Sequence, residues 1–179
     1  MSSVVRRLMN YSEHLAPMTE QPDTMQVPGC PLCGEHLGTI LYASKFAFCL
    51  PAAEPLRPGH LLVISRRHVT KLTQLSAEEL AGLMETLSVV TLAAEEVTGA
   101  DKLYVLHVGD KISHYHFHLI PYQATDTPLG PFVFDDSGWK SAQYAGSVAD
   151  HRTICDCLRL ALGVPERSSP SGTSRLTSR

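Results

Sequence analysis

No run of apolar residues in this chain approaches the roughly 20 needed to span a bilayer, so no membrane partner is expected. No apolar core follows Arg6 and Arg7 that would make them a secretory leader. Positive charge is not in excess either. Fifteen Lys and Arg face 18 Asp and Glu, a formal net charge of -3, which leaves no basic surplus for a phosphate backbone and argues against a nucleic-acid partner. The five cysteines (Cys30, Cys33, Cys49, Cys155 and Cys157) are an odd number and do not form a disulfide framework, so a cytoplasmic, reducing setting is the expectation. A charged fraction of only 18% beside 44% hydrophobic residues excludes a largely disordered or coiled-coil chain, and 179 residues suit one compact domain with some tail. What the chain does have is histidine: nine in all, six of them between His60 and His118.

Three segments follow from composition. Residues 1–29 read as a leader and loop, with a short helix over 4–14. Residues 30–163 hold the periodic elements, and residues 164–179 are a Ser-, Thr-, Arg-, Pro- and Gly-rich tail without an aromatic residue, expected to be disordered. Within the middle segment, β-branched and aromatic residues predict strands over 39–43 and 45–50. A Pro/Gly-punctuated loop over 51–59 then leads to a third strand at 60–65. Ser76 and Glu79 make a capping-box pattern, and Leu80, Leu83, Leu87, Val90 and Ala94 recur at helical spacing until Gly99. Strands over 103–108 and 113–120 follow. Ser147 opens a last amphipathic helix with Ile154, Leu158, Ala161 and Leu162 on one side and Gly163 as its stop. The pattern predicts an α+β fold: a mainly antiparallel five-stranded sheet, one long helix and a C-terminal helix.

The run Ser113-His-Tyr-His-Phe-His-Leu-Ile-Pro121 carries the chemistry. Alternation along a strand would put His114, His116 and His118 on one face and Tyr115, Phe117 and Leu119 on the other. A solvent-facing polar stripe or a metal site of the triplet alone are the plainer readings, but neither accounts for His60 and His68 flanking another strand. Cys30-Pro-Leu-Cys33 is a separate signal, half of a zinc site or, less often, a redox pair. Its remaining ligands are open from spacing alone, with His36, Cys155 and Cys157 uncommitted, and burial of two cysteines without metal is the plain alternative.

Pro58-Gly-His60-Leu-Leu-Val-Ile-Ser-Arg-Arg-His68 and the His114–Pro121 run, in that order and separated by a long helix, resemble the histidine triad superfamily, over about residues 30–122. The resemblance implies attack on the phosphorus attached to a nucleoside through a nucleotidyl-histidine intermediate. His116 matches the nucleophile. His118 is placed for phosphate oxygens or the leaving group, and His60 matches the histidine that packs on the triad. A neutral imidazole is available as nucleophile near pH 7. The transferase branch carries Gln two residues after the nucleophile, so His118 points to the hydrolases. Zinc-bearing members complete their C-x-x-C with the positions matching His68 and His114, which implies a structural Zn2+ on Cys30, Cys33, His68 and His114.

Departures from the family pattern fall on substrate contacts. Ala52 and Ala53 stand near the usual ribose-binding Asp or Asn, with Glu54 the nearest substitute. The loop His107-Val-Gly-Asp-Lys-Ile-Ser113 is about four residues short, with His107 and Lys111 as candidate substrate contacts, Lys111 to a phosphate. Phe46 and Phe48 are candidate walls of a base pocket, core packing being the commoner use of such residues. Residues 130–140, with Trp139, have no assigned role. Apolar residues on more than one face of the long helix, including Leu83, Met84, Val89 and Leu92, together with the resemblance, imply a homodimer unless the leader or last helix covers them. The expectation is a zinc-containing phosphoramidase that releases a nucleoside monophosphate by cleaving a P–N bond. The alternatives are a dinucleoside polyphosphate (P–O–P) hydrolase and a nucleotide-binding regulatory module.

Overall fold

A computed structural model of the chain describes residues 27–34, 39–124 and 148–163. The expected helix at 4–14, the tail from 164, His36, Ser147 and the segment around Trp139 lie outside the described residues. Strands β1 (Tyr42–Ala43), β2 (Ala47–Pro51), β3 (Leu61–Ser65), β4 (Lys102–Leu106) and β5 (His116–Tyr122) form one antiparallel sheet in the order β1-β2-β3-β5-β4. Helix α1 (Ala77–Thr98) joins β3 to β4, and α2 (Val148–Ala161) packs against α1. None of these helices is long and apolar enough to cross a membrane.

The capping box forms as its sequence predicts. Ser76 Oγ accepts from the Glu79 N–H, the Glu79 carboxylate accepts from the Ser76 N–H, and Gly99 ends the helix in the left-handed region. Glu79 also receives two bonds from Arg67, at 2.7 and 2.8 Å, fixing the start of α1 to the segment that leaves β3. α1 covers one face of the sheet, where Ala47, Cys49, Leu61, Val63 and Leu119 meet Leu83, Leu87, Val90, Ala93 and Ala94, with Cys155 and Leu158 from α2. The opposite face carries a smaller apolar cluster, Leu32, Phe48, Leu50 and Ile64. The helix-face argument for pairing is narrower than expected: Leu83 and Val89 are buried within the chain, and Met84 is left 46% exposed.

Strand ends differ from the expectation wherever a side chain takes over a backbone bond. β1 and β2 are short because Ser44 makes the turn between them. Its N–H bonds the Ala47 carbonyl, and its hydroxyl accepts from the N–H groups of Phe46 and Ala47 while lying 2.8 Å from the Thr86 hydroxyl of α1. β4 stops at Leu106, where the His107 ring rather than further backbone bonds the His116 carbonyl at 2.8 Å. β5 begins at His116 and not at Ser113. The Tyr115 N–H turns to the Val69 carbonyl, 2.6 Å away, so the chain before His116 follows the loop after β3. His114 therefore lies ahead of the strand, which corrects the three-on-one-face reading. Only His116 and His118 share a strand face.

Candidate active site

That bend sends His114 to the cysteines. Cys30 and Cys33 sit on a turn closed by the Cys33 N–H to the Cys30 carbonyl, 3.1 Å. His114 Nε2–H donates to the Ser65 carbonyl at 2.8 Å, which leaves the Nδ1 lone pair aimed at Cys30 Sγ (3.5 Å) and Cys33 Sγ (3.4 Å). His68 Nδ1 lies 3.2 Å from Cys33 Sγ. All four ligand atoms fall within 4.8 Å of one another. Ligand atoms around a tetrahedral zinc are separated by about 3.3–3.8 Å, given bonds of about 2.0–2.3 Å, so the donor set and its spacing fit that ion. Burial drives the His114 pKa down to about 4, with His68 adding to it, and so supplies the neutral ring a metal needs. Burial also pushes the Cys33 thiol up, so that without a cation it stays protonated.

Two residues on, the pattern inverts. His116 donates from Nδ1 to the His114 carbonyl at 2.6 Å, which leaves Nε2 with its lone pair free of a proton. The remaining tautomers follow from one backbone donor. The Leu56 N–H can only donate, so His60 Nδ1 accepts it (3.2 Å) and the His60 proton sits on Nε2. His60 Nε2–H then donates to His118 Nδ1 at 3.0 Å, and His118 Nε2–H points at His116 Nε2, 3.2 Å away. Three neutral rings thus run His60 to His118 to His116 in one direction. Burial lowers all three pKa values: His60 well below its usual value, with His118 and His151 adding to the shift; His118 to about 4; and His116 also downward, its bond to the His114 carbonyl opposing the shift. His116 is 3% exposed. A neutral, hydrogen-bonded, desolvated imidazole with its Nε2 lone pair directed toward a neighbouring N–H is equipped for nucleophilic attack.

His116 and His118 stand opposite Ile64 and Leu62 in the β3 register, on the face that carries Phe48 and Leu50. Phe48 therefore shares the triad's side of the sheet. Phe46 does not: its ring lies against Gly82 of α1, where an added Cβ would clash with Phe46 Cδ2, and this corrects its assignment to the pocket. His107 is beside the triad, stacked on Tyr115 (centroids 4.1 Å apart) and edge-on to His116, so it braces the strand. Glu54 and Lys111 are exposed on loops. Cys155 is buried in the main core and Cys157 is exposed, and neither is among the four metal-site residues. Sequence reasoning missed Ser65, whose carbonyl orients His114, and His151, a buried histidine of α2 that touches the His60 loop. Its signal was a lone His three and seven residues before Ile154 and Leu158, on the apolar stripe of the last helix.

A family model described as the HIT domain matches residues 34–125. The bis(5'-nucleosyl)-tetraphosphatase [asymmetrical] of Schizosaccharomyces pombe is 28% identical over 102 residues, 54% of this chain and 56% of that protein. The bifunctional bis(5'-adenosyl)-triphosphatase/adenylylsulfatase FHIT of Arabidopsis thaliana is 28% identical over 101 residues, with the same two shares. The chain thus spans about half the length of these curated relatives. Among solved structures, a Zn-bound histidine triad family protein from Mycobacterium smegmatis superposes with a TM-score of 0.54 at 22% identity, covering 69% of this chain and 83% of that one, a likeness of fold. The matched span runs from just after the cysteine turn to just beyond β5 and takes in His60, α1 and all three histidines of the triad; the chain belongs to the HIT domain family.

Proposed function

We propose that this protein is a nucleotide hydrolase in which His116 Nε2 attacks the phosphorus attached to a nucleoside, and water then releases a nucleoside monophosphate. The observation that carries this is the directed relay from Leu56 N–H to His116, which leaves one unprotonated Nε2 beside one N–H donor. On attack, positive charge develops on the His116 ring, and the His114 carbonyl on Nδ1–H stabilises it. When a phosphoryl group enters, the His118 Nε2–H turns from His116 to a phosphoryl oxygen or to the leaving atom, and His60 supports it from behind. Phe48, with Leu50 and Ile64, offers the apolar wall for a base on the same face. Lys111 is the nearest candidate for phosphate charge and Glu54 for ribose hydroxyls, both from exposed loops.

The relatives named above are by name a dinucleoside tetraphosphatase and a dinucleoside triphosphatase that is also an adenylylsulfatase, which puts a dinucleoside polyphosphate ahead of the P–N substrate that the sequence suggests. The His118 Nε2–H favours the second reading, because an amine is a poor leaving group that needs a hydrogen bond at the departing nitrogen; the ring is neutral, so the proton that the amine takes up is drawn from solvent. Both readings share His116 and the same product. Purified protein given P–O–P and P–N conjugates side by side, in many-fold excess, should release nucleoside monophosphate over many turnovers. Tight nucleotide binding with no turnover on either class would overturn the enzyme in favour of a binding module.

Cys30, Cys33, His68 and His114 would hold zinc, and its contribution there is structural, tying the cysteine turn to the residues that precede β5. A homodimer and a cytoplasmic setting belong to the same reading. Support for pairing comes from Met84 on α1 and Val105 on edge strand β4, both exposed apolar residues.

A further inference from the structure

His60 is set by a loop, and the loop is held by a residue from outside the matched domain. Ala52 N–H bonds the His60 carbonyl at 3.0 Å and His60 N–H bonds the Arg57 carbonyl at 3.0 Å, so residues 52–60 form a closed turn that carries the Leu56 N–H. One side chain holds the far end of this turn. Gly59 N–H donates to His151 Nδ1 at 3.2 Å, which puts the proton of the His151 ring on Nε2. The fit is close: Gly59 has φ +82, and a Cβ there would lie 2.7 Å from Thr98 Cγ2, 3.2 Å from Pro121 Cγ and 3.3 Å from Ile154 Cγ2. α1, β5 and α2 therefore converge on Gly59, and His151 is the polar contact among them, buried to 8% exposure. Helix α2 begins at Val148, well past residue 125, where the family match ends.

We propose that His151 is a positioning residue for the hydrolysis, clasping the Gly59 end of the 52–60 turn so that the Leu56 N–H meets His60 Nδ1 and fixes the proton on His60 Nε2. The proposal rests on the reaction described above, since its consequence for rate passes through His118. The clasp acts at the far end of the relay from substrate, so its loss should lower kcat and leave KM nearly unchanged. A misplacement of this kind costs up to about a hundredfold.

The test uses the full chain and four variants. His151→Leu removes the acceptor of the Gly59 N–H, His151→Asn keeps an acceptor near the Nδ1 position, and His151→Gln carries its amide further out, near the Nε2 position. Leu158→Ala loosens α2 in the core without touching Gly59. Nitrogen-15 spectra of the imidazoles read the tautomer of His60 independently of any turnover. The expected result is that His151→Leu loses the Nε2–H signature of His60 and about ten- to a hundredfold in kcat, that His151→Asn restores much of both, and that Leu158→Ala lowers the melting temperature while keeping the signature. Where His151→Leu does not fold, the Asn and Gln variants carry the comparison, with Asn nearer to wild type. An unchanged His60 signature across the folded His151 variants, or a loss in Leu158→Ala as large as in His151→Leu, overturns the clasp. Wild-type protein that has the signature but turns over no nucleotide conjugate overturns the hydrolase reading and with it the kinetic role, while the spectra still decide the clasp itself.

Discussion

His114 and His116 are two residues apart, both buried, both neutral, and chemically opposite. His114 gives its Nε2–H to the Ser65 carbonyl and presents Nδ1 to two sulfurs. His116 gives its Nδ1–H to the His114 carbonyl and presents Nε2 to His118. Neither ring chooses its role by sequence position or by exposure. The nearest backbone carbonyl selects the nitrogen that keeps a proton, and the other nitrogen becomes the working atom. One bend, made when the Tyr115 N–H leaves the ladder for Val69, is enough to send adjacent members of a repeating His-x-His motif to a metal-site geometry on one side and a nucleophile geometry on the other.

The sharpest way to separate the two is to remove the working atom of one. His116→Ala should lose about a thousandfold or more in turnover while nucleotide binding, measured by titration, stays within a few-fold. A near-wild-type rate, or a covalent nucleotide mapped to another histidine, breaks the assignment. His118→Ala should cost about a hundredfold, and more for a P–N than for a P–O–P conjugate, because the amine is the poorer leaving group and depends more on the hydrogen bond from His118. Equal losses on both substrates would make His118 an oxyanion contact alone.

On the metal side, Cys33→Ser should reduce bound zinc, measured on protein purified without chelator. It should also lower the melting temperature by roughly 10 °C, the equivalent of about 3 kcal/mol for a chain of this size. The rate of the folded fraction should fall far less than in His116→Ala. If Cys33→Ser and His116→Ala cost the same rate, the two histidines are one unit and the contrast fails. The smallest effect is one of pH on stability. His60 and His118 have pKa values below that of an unfolded histidine, near 6.5, so the unfolded chain binds more protons as the pH falls. Stability should be full above about pH 6.5 and decline on acidification toward about pH 4. Thermal midpoints taken from pH 7.5 to 5 measure the slope, and a flat profile would mean that the rings are solvated.

Much of the architecture was legible because it rests on local patterns. The long helix was announced by Ser76, Glu79 and the spacing of Leu83, Leu87, Val90 and Ala94, and the strand count by β-branched runs between turns. Strand ends were not, because Ser44, His107 and Tyr115 redirect backbone bonds through partners that are distant in sequence or hidden in side chains. The same holds for the site. His116, His118 and His60 came from two motif blocks, and the structure brings these three together. The pairing of Cys30 and Cys33 with His68 and His114 was suggested by resemblance, and the structure gathers those four. Phe46 was misplaced because it precedes β2, in the turn made by Ser44, where nothing in the sequence shows which side of the sheet its ring takes. His151 was overlooked because a single histidine on an apolar stripe says nothing of the Gly59 N–H it will meet.

The β3–β5 register described above also has a bearing on error. Ile64 faces His116 and Leu62 faces His118, while Leu61 faces Leu119 and Val63 faces Phe117. A slip of one residue would reverse the pleat of β5, turning two imidazoles into the core beneath α1 and Phe117 and Leu119 out of it. Such a misfold forfeits core packing and the His60–His118–His116 relay together. The alternation that aims His116 at His118 thus also proofreads the sheet, and chains that close in the wrong phase are unstable and lack the relay on which the proposed chemistry rests.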